Sequence, residues 1–222
     1  MSRIFTPKSL GVAAGLTWGV ALWVGLAVAP TDHIMGQVQR IMYIHVPAAW
    51  SGFLAFFLVF VASIAYLIRR DARLDHLAHA AAEVGVVFMS LAIVLGAVWG
   101  KPTWGVWWTW DPRLTSAAVL LAIYLGYLAM RAFTDEPERR ARLCAAVGII
   151  GFLDVPLVYL SVLWWRTLHQ APSSPETIAR PMLMALWLGV FAFTLMLAFF
   201  TTVRYQTAHW EAELELLEVS HV

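Results

Sequence analysis

Two histidines lie at the ends of long apolar segments. At such a position an imidazole can serve as a metal ligand. His45 precedes one such segment, and His169 follows another. Neutral imidazole is a common axial ligand of haem iron, and imidazoles from two loops could approach the two faces of one porphyrin. A single interfacial histidine is more often a hydrogen-bonding surface residue. The pair therefore carries weight only if both residues emerge on the same side of a membrane.

Residues 99–115 form a tryptophan loop, which holds five of the twelve tryptophans of the chain. An aromatic belt at the membrane interface explains one or two tryptophans per helix end on both faces, but not a cluster on one face. A water-facing surface of indoles offers rigid, flat apolar area to a flat apolar ligand. Gly105 allows the backbone to turn tightly between the rings. The candidate platform comprises Trp104, Gly105, Trp107, Trp108, Trp110 and Asp111.

Three charged residues near these groups have more than one interpretation. Asp111 could cap the helix that follows it, or the N–H groups of a neighbouring helix. Arg113 could pair with Asp111 or with a carboxylate of the ligand. Arg40, five residues before His45, could bind a haem propionate or a lipid phosphate, and the sequence favours neither.

The elements that must position these residues are membrane-spanning helices. The chain is 61% hydrophobic and 13% charged, with a mean hydropathy of +0.72, which is too apolar for a soluble domain of this size. Each apolar segment is near the ~20 residues that cross a bilayer as a helix. We predict an all-α fold with six transmembrane helices, at about 10–29, 46–68, 80–99, 114–130, 143–163 and 182–203.

Prolines mark the predicted ends of these segments, because a missing N–H does least harm outside a helix. Pro47 is expected in the first turn of the second helix, where proline is well tolerated. The remaining prolines that we assign to breaks between segments are Pro30, Pro102, Pro112, Pro172, Pro175 and Pro181.

The distribution of Lys and Arg predicts the orientation. If the N-terminus is cytoplasmic, the inner segments hold ten basic residues and the outer loops five, so both termini are expected in the cytoplasm. The first, third and fifth loops then share the outer face, which brings His45, the tryptophan loop and His169 to one side. We divide the chain into a membrane domain, 1–203, and an acidic cytoplasmic tail, 204–222.

Other features limit the classes of function. The net charge of +1 gives no indication of nucleic-acid binding, and the single cysteine, Cys144, excludes an internal disulfide or a CxxC thiol pair. Asp154 lies near the middle of the fifth segment, two residues before Pro156. A carboxyl at that depth indicates either function or a protonated side chain that hydrogen-bonds a helix carbonyl freed by the proline; we favour the second interpretation.

These motifs resemble a known family. The run from Trp104 to Thr115, WGVWWTWDPRLT, resembles the WWD signature of haem-handling proteins of cytochrome c biogenesis. The segments around His45 and around Thr167-Leu-His169-Gln170 resemble the two flanking-histidine segments of the CcmC family, and the similarity spans nearly the whole chain. Pro112 is a departure from the pattern.

The resemblance implies that His45 and His169 are the axial ligands of haem b, and that the tryptophans of the loop form its hydrophobic platform. It also implies a multi-pass protein of the bacterial inner membrane, with its functional loops in the periplasm. The implied role is delivery of haem to the chaperone CcmE, within a complex of CcmA, CcmB and CcmD. The chain itself is not expected to be an enzyme, since it has no Gly-rich phosphate loop.

Two other classes of membrane protein are alternatives to a haem-delivery protein. A membrane b-type cytochrome would more naturally hold paired histidines inside its helices, and the helix interiors predicted here contain none. A permease for haem or another small molecule would have polar or broken helices at the midplane. Only Asp154 and Pro156 indicate such a feature.

Overall fold

The computed structural model describes residues 6–170 and 177–220, without the side chains of 209 and 212–220. This part of the chain folds into helices, which confirms the all-α prediction. Two short helical turns follow the first helix, a π-helical turn at Val24–Val28 and a 3₁₀ turn at Gln37–Ile41. The α-helices are α1 (Pro7–Trp23), α2 (Met42–Arg69), α3 (Ala72–Trp104), α4 (Pro112–Ala132), α5 (Pro137–Phe152), α6 (Asp154–Trp164) and α7 (Arg180–Ser220).

Six stretches of the described chain are long and apolar enough to cross a bilayer, with α5 and α6 together forming one of them. This number confirms the prediction. The helices are longer than predicted, because polar residues at their ends are also helical. The third runs from Ala72 to Trp104 instead of 80–99, and the sixth, α7, continues without a break through residue 203 to Ser220.

Four prolines lie at positions other than those predicted. Pro112 is the first residue of α4 and Pro181 is the second residue of α7, rather than in breaks. Pro102 lies inside the last turn of α3 rather than in a break, and Pro47 lies inside α2 rather than in its first turn, since α2 begins at Met42. A proline inside a helix leaves the carbonyl four residues earlier without its N–H partner. In α2 that carbonyl belongs to Tyr43, and α7 passes close to it: a Cβ on Gly189 would lie 3.0 Å from the Tyr43 oxygen. Pro172 and Pro175 lie outside the described residues.

The centre of the bundle is formed by α2, which packs against α3, α5 and α7. Phe56 of α2 stacks on Tyr124 of α4, with ring centroids 3.7 Å apart. Small residues let α3 approach α2 closely. A Cβ on Gly85 of α3 would lie 2.7 Å from the Phe56 ring. The outward faces carry exposed apolar side chains such as Val87 and Ile150, as expected of surfaces in contact with lipid.

Ion pairs join the helices at the end of the bundle where α3 begins. Asp75 of α3 accepts two hydrogen bonds from the Arg131 guanidinium of α4, and both side chains are nearly buried, with exposed fractions of 11% and 8%. Glu83 of α3 accepts from Arg204 of α7 at 2.6 Å. Three helices are thereby held together at the end opposite to His45, which lies near the start of α2.

The fifth span is interrupted at Leu153, where α5 ends and α6 begins. Asp154 is the first residue of α6, and its Oδ2 atom is buried without a hydrogen-bond partner among the described residues. We expected this carboxyl to bind a freed helix carbonyl, but the structure gives it no such bond. A carboxyl in the first turn of a helix instead interacts favourably with the helix dipole.

Candidate functional site

His45 lies in the first turns of α2, with its ring directed at α3. Its Nδ1 atom lies 2.8 Å from the carbonyl oxygen of Ala92. A carbonyl only accepts hydrogen bonds, so Nδ1 must carry the proton. The neutral ring therefore has its free lone pair on Nε2, which is the arrangement of a metal-binding histidine held by a backbone carbonyl.

Two glycines of α3 make room for the rings of this site. A Cβ on Gly96 would lie 3.0 Å from Cε1 of His45, and a Cβ on Gly100 would lie 2.9 Å from the ring of Trp104. Trp99, between them in sequence, packs its ring against His45 edge-on at 5.7 Å. Neither glycine was predicted as part of the site. Their spacing of four residues, which places Gly96 and Gly100 on one helix face where the tryptophan loop begins, is the signal that could have revealed them.

His169 follows α6 in a loop stabilised by local hydrogen bonds. Its backbone N–H donates to Oγ1 of Thr167 at 3.1 Å, and its Nδ1 lies 2.7 Å from the carbonyl oxygen of Gln170. Because this carbonyl can only accept a hydrogen bond, Nδ1 of His169 carries the proton and Nε2 has the lone pair. Burial, together with the nearby positive charge of Arg113, lowers the pKa of His169 to about 4. The ring is thus neutral at pH 7, as a metal ligand requires.

The rings of His45 and His169 lie close together, with their centroids 6.4 Å apart and their planes inclined by 38°. Two imidazoles that bind one metal ion from opposite sides, with metal–nitrogen distances of about 2.0–2.1 Å, hold their centroids roughly 6 Å apart. The observed spacing, the two neutral rings and the aromatic surroundings therefore fit a haem iron held by two axial histidines.

The tryptophan loop lies on one side of this pair of imidazoles. Gly105 ends α3 with a φ of 80°, and its carbonyl accepts from the Lys101 ammonium at 2.9 Å, so the predicted tight turn is confirmed. The ring of Trp104 lies 6.2 Å from that of His169.

The indoles of the loop do not form one flat surface. The rings of Trp108 and Trp110 meet at 80°, with their centroids 5.7 Å apart. Trp110 is 80% exposed and Trp107 is 57% exposed. The structure thus brings Trp104 and Trp108 to the histidines, whereas Trp107 and Trp110 face outward.

Asp111 and Arg113 begin α4 beside the histidines. Asp111 caps this helix, since its Oδ1 accepts from the backbone N–H groups of Arg113 and Leu114 at 3.0 and 3.1 Å. This confirms the first of the two capping interpretations, and Pro112 suits its place at the first helical position. The Arg113 guanidinium makes long contacts, at 3.3 and 3.4 Å, with the carbonyl oxygens of Val158 and Tyr159. Both contacts are near the upper limit of a hydrogen bond and neither acceptor carries a charge, so the guanidinium can still bind an anionic group.

Arg40 is not part of this group. Its guanidinium donates to the carbonyl oxygens of Gly25 and Ala29, both at 2.9 Å, and to the side chain of Gln37. These carbonyls belong to the π-helical end of the first span, where the α-helical hydrogen-bond pattern is interrupted. Arg40 therefore connects the first span to the segment that leads into α2.

Two small cavities adjoin the paired imidazoles. One has a volume of about 80 Å³ and extends into the bundle between α2, α3, α4 and α6. The other has a volume of about 30 Å³ and lies towards Trp99, Thr103 and Gln170. Pockets that enclose whole ligands start at about 300 Å³. These cavities are smaller, so most of a macrocycle bound here would lie outside them.

The fold and the site define a multi-pass membrane protein in which two neutral imidazoles and an aromatic loop converge at one end of a helical bundle. The family model for CcmC, described as heme exporter protein C, matches residues 1–220. The chain belongs to this family, and the resemblance noted in the sequence is confirmed.

Curated relatives agree with the family assignment. Heme exporter protein C of Bradyrhizobium diazoefficiens is 38% identical over 80% of this chain and 70% of its own length. The protein of the same name from Haemophilus influenzae is 38% identical over 85% of this chain and 78% of its own length. That of Escherichia coli is 36% identical over 82% of this chain and 75% of its own length.

Proposed function

We propose that this protein binds haem b at the outer face of the membrane, with His45 and His169 as the two axial ligands. One observation carries the proposal. Each ring has its Nδ1 atom engaged by a backbone carbonyl, and the two rings lie 6.4 Å apart. Each Nε2 is therefore left as an electron-pair donor, and the distance between the ring centroids suits one iron atom between the two imidazoles. Membership of the heme exporter protein C family supports the same ligand.

The tryptophan loop is proposed as the hydrophobic platform for the macrocycle. Trp104 and Trp108 border the imidazoles, and the outward indoles of Trp107 and Trp110 extend apolar surface towards water. Gly105 and Asp111 shape the loop, one by its turn and the other by its cap. Of the two arginines, we assign Arg113 to a haem propionate. It lines the same cavity as His45 and His169, and its contacts with backbone carbonyls, at 3.3 and 3.4 Å, are longer than the 2.9 Å bonds of Arg40.

We assign the protein a scaffold role in cytochrome c biogenesis rather than an enzymatic one. It would orient haem for the chaperone CcmE, so that reaction at the haem periphery gains from proximity. CcmA and CcmB, an ATP-binding-cassette pair, and the small membrane subunit CcmD are the further partners. ATP hydrolysis would belong to CcmA, because this sequence contains no phosphate-binding loop.

The proposed orientation has both termini in the cytoplasm and the haem site in the periplasm of a bacterial inner membrane. The excess of Lys and Arg in the segments assigned to the inside supports it. The domain assignment, a membrane domain at 1–203 and an acidic tail at 204–222, stays a proposal. The acidic side chains after residue 211 lie outside the described side chains.

The absorption spectrum of the purified protein after addition of haem tests the ligand assignment. Two axial imidazoles give a low-spin spectrum, and we expect His45→Ala and His169→Ala each to abolish it. His33→Ala is the matched control, because His33 is an exposed histidine of the first outer loop. If both variants keep the wild-type spectrum, the assignment is wrong.

Orientation is tested separately by cysteine labelling. The only native cysteine, Cys144, is fully buried and is replaced by alanine as the starting background. Cysteines are then introduced at Ile34, which is 94% exposed, and at Phe133, which is 87% exposed. Spheroplasts are then treated with a membrane-impermeant thiol reagent. We expect Ile34→Cys to react, and Phe133→Cys to react only after the spheroplasts are lysed. The reverse pattern would overturn the orientation.

A further inference from the structure

The larger of the two cavities beside the imidazoles continues away from them into the bundle. On α2 it follows one helix face from His45 through Ala49 to Phe53, and on α3 it follows another from Gly96 to Met89. At a rise of about 1.5 Å per residue, eight residues carry this face roughly 12 Å inward. The cavity is thus an inward extension of the site rather than a part of the exposed surface.

The chemistry of the cavity changes along its length. Arg113, Trp108 and the histidines line its outer part. The rest of its lining is apolar and includes small side chains, namely Ala49, Ala92 and Ala117, beside Val158, with Phe53 and Met89 at the inner end. Met89, Ala92 and Val158 are each 2% exposed, so this part of the lining lies within the helical bundle.

Protein interiors are normally packed to the density of organic crystals, so an apolar space between helices and next to a ligand site indicates room for part of the ligand. An apolar cavity of about 150 Å³ takes up benzene. The space of about 80 Å³ here is smaller than that, which suits a substituent of two or three carbon atoms. It is too small for a pyrrole ring with its substituents, and it contains no partner for a carboxylate at its inner end.

We propose that this cavity receives an apolar peripheral substituent of the porphyrin, such as a vinyl group, and thereby fixes the rotational position of haem in its own plane. The inference rests on the proposed haem function and adds selectivity to it. With one apolar substituent held between α2, α3 and α4, the groups on the other sides of the ring are left at the open edge. The cavity therefore decides which part of the haem periphery is presented to a partner.

Iron porphyrins that differ only at the periphery test this proposal on the unchanged protein. Iron protoporphyrin has vinyl groups, iron mesoporphyrin has ethyl groups, and iron deuteroporphyrin has hydrogen atoms at these positions. Burial of two carbon atoms corresponds to an affinity difference of about tenfold. We expect the protoporphyrin and mesoporphyrin complexes to form with similar affinity, and the deuteroporphyrin complex to be about tenfold weaker, in absorbance titrations.

A filled cavity should remove this selectivity. Ala117→Leu places a larger side chain in the apolar lining of the cavity, and Ala122→Leu makes the same change at an exposed position on the same helix. In Ala117→Leu we expect protoporphyrin to lose its advantage over deuteroporphyrin, to within about twofold, while Ala122→Leu keeps it. If Ala117→Leu fails to fold, Ala49→Val fills the same cavity from α2.

The outcomes separate this inference from the proposed function. A low-spin spectrum with all three porphyrins at equal affinity would overturn the cavity proposal and leave the two axial histidines in place. Selectivity that persists unchanged in the filled-cavity variants would also overturn it. Loss of the low-spin spectrum in the wild-type protein would instead count against the haem function itself.

Discussion

Gly96 of α3 lies directly against His45 of α2, such that a Cβ on the glycine would approach Cε1 of the imidazole to 3.0 Å. Such a distance is shorter than most contacts of real Cβ atoms, so a side chain at residue 96 would require the ring to shift by a few tenths of an ångström. The same ring is held from α3 by the Ala92 carbonyl. The position of the proposed ligand is thus set by two features of the neighbouring helix.

Substitution Gly96→Ala should displace the His45 ring and weaken its bond to Ala92. A displaced ligand is poorly placed for a second imidazole 6.4 Å away, so we expect haem affinity to fall by roughly tenfold while the protein remains folded. The matched control is Gly126→Ala on α4, where a Cβ meets no atom within 4 Å. Titration with haem measures both, and equal affinity in the two variants would contradict the role of Gly96.

The low pKa of His169 leads to a prediction for the haem-free protein. Burial and the charge of Arg113 lower this pKa to about 4, whereas an unperturbed histidine titrates near about 6.5. NMR of protein with isotope-labelled histidine should show His169 neutral through pH 5.5. Replacement of Arg113 by Gln removes a positive neighbour and should raise the pKa of His169.

The same shift has a consequence for stability. Because the folded state disfavours the protonated ring, the unfolded chain takes up the proton first as the pH falls. The stability that neutral His169 contributes is complete above about pH 6.5 and is lost as the pH falls towards 4. A titration of His169 near the unperturbed value in the folded protein would disprove both statements.

Arg113 and Arg40 should respond differently to removal of the haem carboxylates. We expect Arg113→Gln to lower the preference for haem over its dimethyl ester by about tenfold or more, because a charge-assisted hydrogen bond contributes about 1.5–3 kcal/mol. In Arg40→Gln the preference should persist, since the native guanidinium donates to Gly25 and Ala29. This variant should instead unfold more easily, because those carbonyls lose their donors. Equal loss of the preference in both variants would contradict the assignment.

The ion pair between Asp75 and Arg131 should contribute strongly to stability. With Asp75→Asn, a guanidinium that is only 8% exposed loses its counter-charge, and removal of one partner of a buried pair costs about 3–5 kcal/mol. The double variant Asp75→Leu with Arg131→Met should recover part of this loss. Unfolding in detergent with increasing SDS measures the free energy of unfolding of each variant.

The exposed pair between Arg142 and Glu138 provides the control. Glu138 is 64% exposed, so Glu138→Gln should cost less than about 1 kcal/mol. Haem affinity of the folded fraction should stay unchanged in every one of these variants, because the two pairs lie at the end of the bundle opposite to His45. A loss of haem affinity with Asp75→Asn at full folding would show that the two ends are coupled.

Much of the architecture follows from the amino-acid sequence by itself. Runs of about 20 apolar residues can bury their backbone polar groups in lipid only as helices, so the six spans were predictable from composition and length. The approach of His45 and His169 followed from the number of spans, because odd-numbered loops emerge together. The cap at Asp111 and the turn at Gly105 are local effects of side-chain and backbone chemistry, and both were predicted correctly.

The tertiary structure decided what depends on contacts between distant segments. Nδ1 of His45 is the protonated nitrogen because it donates to the Ala92 carbonyl of another helix. Arg40 donates to the carbonyls of Gly25 and Ala29 because the π-helical end of the first span lies beside it. Pro47 and Pro102 lie inside α2 and α3 although each removes an N–H group, and these two helices pack extensively against each other. Hydropathy records the affinity of each residue for lipid, but the partner of a polar group is set by the packing of whole helices, which no local window of sequence contains.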